Sequence, residues 1–324
     1  MKHLIKTKYR FLLPLIILPE YFSEWLRYVR HSGVVFRSDE QKLRARIIAQ
    51  YHILEKGLTM PESRTGFGQP QAVELAVLCE QYTGQFGTDE CQIRHAVGVL
   101  KEYCHFQEER GFALDGETVR KVDQLAALFQ EATGEQVITT PGEYFALTEE
   151  PFPRFAKSRC SVRNYSSEPV DPEKIKAAVE VAKKSPSSCN RQGTKVHLEM
   201  RKEVLSRILE IQSGNRGFGH LAQAAIVVKG DIRACFNVYE NHMPYVDGGM
   251  FAMSLLYALH HEHLVACPLN CYLSKAKLGE IARLCEFEES EVPIVMIAVG
   301  VAPDSFKIAS SPRLDESQII TVKQ

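Results

Sequence analysis

Arg159, Ser161 and Arg163 place two guanidinium groups and a hydroxyl within five residues, in Arg159-Cys160-Ser161-Val162-Arg163, followed by Asn164-Tyr165. Guanidinium groups give charge-assisted, bidentate hydrogen bonds to phosphate, so the segment is a candidate anion site. Alone, it reads first as a solvated basic turn. Ser185-Pro186-Ser187-Ser188-Cys189-Asn190-Arg191-Gln192 follows a helical stretch. Its hydroxyls and an amide that both donates and accepts suit the polar edge of a heterocycle, and also an ordinary helix-to-strand loop. Ser310-Ser311-Pro312-Arg313 adds one more arginine near the C-terminus.

Other groups have plainer readings. His260-His261-Glu262-His263 has metal-ligating residue types, but histidines at the end of an apolar helix also complement its dipole. His52-x-x-Glu55 puts two potential ligands on one helix face. A carboxylate-bridged di-iron site needs several such pairs, which this chain lacks, so helical surface charge is the expectation there. Cys189, Cys267 and Cys271 read as packing residues. Nine cysteines, an odd number without a repeating CxxC frame, fit reduced thiols in a cytoplasmic protein. The 39 basic and 40 acidic residues balance, so nothing draws the chain to nucleic acid. Basic residues Lys2 to Arg10 precede the apolar run Phe11–Leu18, which Pro14 and Pro19 limit. The run is shorter than the ~20 residues that span a bilayer and has no small-residue cleavage site. A docked segment is expected, with peripheral membrane contact through residues 1–22 as the alternative.

The elements that position these groups fall into two halves. Apolar residues recur at three- and four-residue spacing in Leu43–Leu58, Val73–Cys79, Ile93–Cys104 and Val119–Phe129, predicting four helices. Proline-rich punctuation through Ile138–Phe155 places a domain boundary near Glu150. Beyond it, helix and strand alternate. Asp171-Pro172 opens a helix to about Lys184. Val196–Met200, Ala224–Lys229, Leu264–Leu269 and Pro293–Val301 read as strands. Tyr245–His261 is apolar nearly all round and reads as a buried helix. Ser274 caps a helix to Leu284, and Gln318–Val322 reads as a last strand with no partner nearby. The expected fold is α+β: a central mixed sheet wrapped by helices in 151–324, preceded by an all-helical module in 1–150.

Taken in order, the three polar segments resemble the flavin-dependent nitroreductase family from about residue 154 to 324. Arg159, Ser161, Arg163 and Tyr165 match its Arg-x-Ser-x-Arg/Lys-x-aromatic opening. Pro186, Ser187, Ser188, Asn190 and Gln192 match its Pro-Ser-Ser-x-Asn-x-Gln loop. Pro268-Leu269-Asn270-Cys271 stands where the family has a Pro-Ile-Glu-Gly-like turn, and Pro293, Gly300 and Arg313 complete the pattern. The chain departs from it at Gly193-Thr194, where Pro-Trp is usual, at His263, where glycine is usual, and at Asn270-Cys271. Some longer family members carry a helical extension with a stretch like His52–Leu58.

The resemblance implies FMN as cofactor and NAD(P)H as co-substrate. Arg159, Ser161 and Arg313 would hold the phosphate, and Arg163 the phosphate or the N1/C2=O edge. Asn190 would bond the pyrimidine edge, and the backbone at Asn270 and Cys271 would face N5. It implies ping-pong hydride transfer to an electron-poor nitro, quinone-like or conjugated small molecule. It also implies a homodimer with FMN at the interface, Ser187 and Ser188 serving the partner's flavin, and strand 318–322 augmenting the partner's sheet. No catalytic side chain and no metal is assigned. The departures motivate an alternative: a specialised or non-catalytic flavin-fold protein whose helical half binds a partner or restricts the site.

Overall fold

The computed structural model describes residues 18–19, 21–22, 24–26, 29, 39–129, 132, 134, 136–235 and 239–323. The apolar run Phe11–Leu18 lies outside these but for Leu18, so the expectation of membrane contact at 1–22 falls outside the described residues except at 18–19 and 21–22. Within them, no helix is long and apolar enough to cross a membrane.

Four helices come first: α1 (Glu40–Thr59), α2 (Gln69–Phe86), α3 (Cys91–Glu109) and α4 (Gly116–Leu128). Their starts are chemically marked. The Asp39 carboxylate accepts from the Lys42 N–H, and Asp115 accepts from the Thr118 N–H. Leu43, Ile47, Leu54, Leu75, Ile93, Leu100 and Val122 pack into one apolar core. Val73 and Val119, expected on the inner faces, point outward instead. Gly57 sits in α1 with its backbone against the Phe67 ring; an added Cβ would meet that ring at 1.9 Å.

The rest is α+β. After β1 (Val137–Thr139), α5 (Pro141–Phe145) and α6 (Phe152–Ser158) come α7 (Pro172–Ala182), β2 (Thr194–Glu199), α8 (Lys202–Gln212) and β3 (Ala224–Asp231). They are followed by α9 (Met243–His261), β4 (Val265–Asn270), α10 (Lys275–Leu284), β5 (Glu291–Gly300), β6 (Phe306–Ile308) and α11 (Glu316–Ile319). The main sheet has the order β2-β3-β5-β4. Residues of β3 alternate between its two faces, and both faces are covered. Ala225 and Val227 pack with Ile208 of α8 and Ile281 of α10. Ile226 and Val228 pack with Ile175 of α7 and Leu255 of α9. Two covered faces explain why β3 reads as an unbroken apolar run.

Four expectations are corrected. The described sheet is antiparallel throughout, not mixed, because β3 and β4 run the same way but are separated by β5. Residues 318–322 do not form a strand: Asp315 and Gln318 make a reciprocal capping box that turns 316–319 into the short α11. Helix α9 is not buried all round, since Tyr245, Val246 and Met250 are exposed. The punctuated 138–155 stretch holds β1, which pairs with β6.

Replacing Gly57 with Ala tests this packing. Helix propensity alone favours Ala by about 1 kcal/mol. Contact with Phe67 is expected to reverse the sign and leave the variant about 1–3 kcal/mol less stable in urea unfolding. An equally stable variant would mean that the ring gives way freely.

Candidate functional site

The first polar segment leaves α6 at Arg159 and passes beneath the sheet edge. Val162 is fully buried; its N–H donates to the Ala266 carbonyl at 3.1 Å, and it bridges Ile308 of β6. This pinned valine fixes the two arginines around it. Arg163 is buried, and its Nε has no hydrogen-bond partner. The Nε and Nη1 of Arg159 are likewise buried and unpartnered. Such groups cost free energy unless something pairs with them.

Arg159, Ser161 and Arg163 line a cavity of about 400 Å³ whose far wall is Ser310–Arg313. The structure therefore brings together the first and third polar segments, 150 residues apart. The remaining wall comes from the helical half, through Ile48, Tyr51 and His52 of α1 and Gln92 of α3. None of the cavity's described lining residues is acidic. A cationic pocket with unpaired guanidinium N–H groups in its wall fits a phosphate.

A carboxylate that touches this wall through Ser311, Glu55, is fully buried. It accepts from His95 Nε2 at 2.7 Å and pairs with His52 Nδ1 at 3.3 Å. It also accepts from the Ser311 N–H and Oγ, each at 3.3 Å. Burial pushes its pKa up, but the histidine hydrogen bonds and charges outweigh that and bring it to about 2. The surface-charge expectation for His52-x-x-Glu55 is thus wrong for Glu55. Its signal was positional: it follows Tyr51 by four residues and precedes Leu58 by three, on the apolar stripe. Lys56 was missed as well. It is half-buried, and its pKa is lowered by burial and then by the Arg163 charge.

The second polar segment does not reach this cavity within one chain. Asn190 and Gln192 are exposed, and Pro186 lines a separate aromatic cavity with Phe155 and Tyr257. The loop is strained: Cys189, Asn190 and Gln192 have φ of 51°, 55° and 52°. It is held by groups that sequence reading overlooked. The Ser188 N–H and Oγ donate to the two oxygens of buried Asp247 at 3.0 and 3.1 Å. Arg191 forks onto Glu240 at 2.9 and 3.0 Å. Ser187 Oγ accepts from the Gln192 N–H.

At the end of β4, Pro268 is half-buried, Leu269 and Cys271 are buried and Asn270 is exposed. Asn270 accepts Gln212 Nε2 on its carbonyl and the Tyr272 N–H on Oδ1. Burial raises the Cys271 thiol to about 12 and also raises Cys267, against the opposing Arg163 charge. The histidines at the end of α9 go to separate partners. His260 meets Ser158 Oγ, His263 meets Thr148 Oγ1, and His261 lies 3.9 Å from Glu149.

The sequence model of the nitroreductase family matches residues 156–215, which span the first two polar segments. No curated protein matches. Among solved structures, an FMN-dependent nitroreductase from Clostridium difficile is similar at 20% identity over 51% of this chain and 92% of that one, with a TM-score of 0.42. A nitroreductase family protein from Streptococcus pneumoniae is similar at 20% identity over 53% of this chain and 100% of that one, TM-score 0.46. NfrA2 from B. megaterium is similar at 20% identity over 53% and 73%, TM-score 0.47.

A pH prediction follows from His260, which adjoins Arg159. Burial, then the Arg159 charge, lowers its pKa from 6.5 to about 4. The unfolded chain therefore takes up this proton first as pH falls. The stabilising contribution is present above about pH 6.5 and lost on the way down through pH 4. Chemical denaturation across that range is expected to show a steeper loss in wild type than in His260→Gln; equal slopes would refute it.

Proposed function

We propose, for a chain whose residues 156–215 match the nitroreductase family, that it is an FMN-dependent NAD(P)H oxidoreductase acting on electron-poor nitro, quinone-like or conjugated small molecules. The observation that carries this reading is the set of buried, unpartnered guanidinium nitrogens, Nε and Nη1 of Arg159 and Nε of Arg163, beside a cavity whose described lining holds no acid. FMN supplies the hydride-accepting and hydride-donating centre, and donor and acceptor use it in turn.

The protein's part is binding and electrostatics. Arg159, Ser161 and Arg313 hold the phosphate. Arg163 places positive charge at the N1/C2=O edge, where it stabilises negative charge on the ring. Asn190 bonds the pyrimidine edge, and the Asn270 and Cys271 backbone faces N5. Pro186, Ser187, Ser188, Gln192, Pro268 and Leu269 shape the surrounding loops. Because loop 185–192 stands apart from the arginine cavity in one chain, a homodimer that brings this loop to the partner's flavin is part of the proposal. So is the division into a helical module, 1–150, and an FMN-binding domain, 151–324. The wall contributed by α1 and α3 favours a restricted site within this reading.

Purified protein is expected to bind FMN, bleach with NADH or NADPH under nitrogen and recolour with a quinone. Protein that neither retains nor takes up FMN overturns the reading. A flavoprotein indifferent to both nicotinamides points instead to a specialised, non-reductase role. Arg159→Ala is expected to weaken FMN binding about 10- to 100-fold, the worth of a charged hydrogen bond, by fluorescence titration.

A further inference from the structure

We propose that the helical half of the chain is itself part of the anion-binding site: Glu55 positions the Ser310–Arg313 segment, and Lys56 adds a cation for a phosphate monoester. This rests on the reading above that the cavity receives the phosphate end of FMN.

The argument begins with charge. Arg159, Arg163 and Arg313 line the cavity. Lys56 is half-buried on α1, one turn beyond His52, which lines the same cavity, and four-residue spacing puts the two on one helix face; burial, then the Arg163 charge, lowers its pKa. Among the described residues Lys56 forms no ion pair; nor do Arg159 and Arg163. Like charges gathered in a half-buried place are costly unless an anion joins them. A phosphate monoester brings roughly −1.5 to −2 charge at neutral pH. The nearby carboxylate does not neutralise the cluster, because Glu55 is occupied by His52, His95 and Ser311.

Glu55 has a different task. Ser311 adopts φ 37°, a left-handed conformation that costs a residue with a Cβ. Glu55 accepts both its N–H and its hydroxyl. Gln92 Nε2 donates to the next carbonyl, Pro312, at 3.3 Å, and is itself fixed by Tyr51 at 2.6 Å. Arg313 Nη1 then folds back onto the Ser311 carbonyl. Residues of α1 and α3 thus grip a segment more than 200 positions away and set the approach of Arg313 to Arg159 and Arg163.

The test compares FMN with riboflavin, which lacks the phosphate, by fluorescence titration of full-length protein, alongside thermal shifts with inorganic phosphate at ionic strength matched by sodium chloride. Wild type is expected to prefer FMN and to be stabilised by phosphate. Lys56→Met is expected to weaken FMN binding about tenfold while riboflavin binding stays, and to blunt the phosphate shift. Glu55→Gln is expected to lose the same preference. Because that change touches a buried network, Lys56→Met, which breaks no ion pair, keeps the test decisive if Glu55→Gln misfolds. An FMN-to-riboflavin ratio unchanged in Lys56→Met overturns this inference and leaves the flavin reading intact. Wild type that binds neither flavin, yet gains stability from phosphate in a Lys56-dependent way, overturns the flavin reading and sustains the inference for another phosphate monoester. A phosphate shift independent of Lys56, or no response to flavin or phosphate at all, overturns the inference.

Discussion

Burying Arg163 beside Arg159, with no carboxylate paired to either among the described residues, is the constraint around which the second half of the chain is arranged. A cation taken from water costs several kcal/mol unless opposite charge or hydrogen bonds compensate it. A chain with 40 acidic residues has ample means to compensate, yet none of the described ones lines this cavity. The arginines are held by what flanks them. Val162 is fully buried and tied to both Ala266 and Ile308, so the main chain between the two arginines is pinned to the sheet edge. The four-stranded sheet, with both faces covered, supplies the rigid edge that this anchoring requires.

How much of this was legible in the sequence depended on the kind of signal. Local and periodic signals were read well: α7 and α10 start at the caps that Asp171 and Ser274 provide, α1 follows the Leu43–Leu58 stripe, and β3, β4 and β5 are the apolar runs. Local polar clusters were legible as segments but not as a site, since no spacing rule says that Arg159 and Arg313 face one another. Pairing between distant short strands, as for β1 with β6, leaves no mark in either segment. The 318–322 stretch misled because β-branched residues suit a strand, whereas the Asp315–Gln318 box decides the local backbone. Glu55 misled for the opposite reason. Charged residues on helices usually face water, and only its place among Tyr51, Leu54 and Leu58 marked it as buried.

The two strained loops share one device. In each, a serine gives its N–H and its hydroxyl to the two oxygens of a buried helical carboxylate: Ser188 to Asp247 of α9, and Ser311 to Glu55 of α1. In each, left-handed residues other than glycine lie at or just after that serine. Backbone in that region persists only where its surroundings overdetermine it, and a carboxylate gripped by two donors from one residue does so. The strain therefore has a structural cause on both sides of the molecule, and its location coincides with the segments expected to contact a ligand. Asp247 belongs to the sheet-bearing half, so the first loop is self-contained. Glu55 belongs to the helical half, so the second loop, and with it Arg313, depends on the helices for its shape. Removing those helices would strip away more than a cover: the Ser310–Arg313 segment would lose the acceptor that holds Ser311 at φ 37° and the Gln92 donor that holds Pro312.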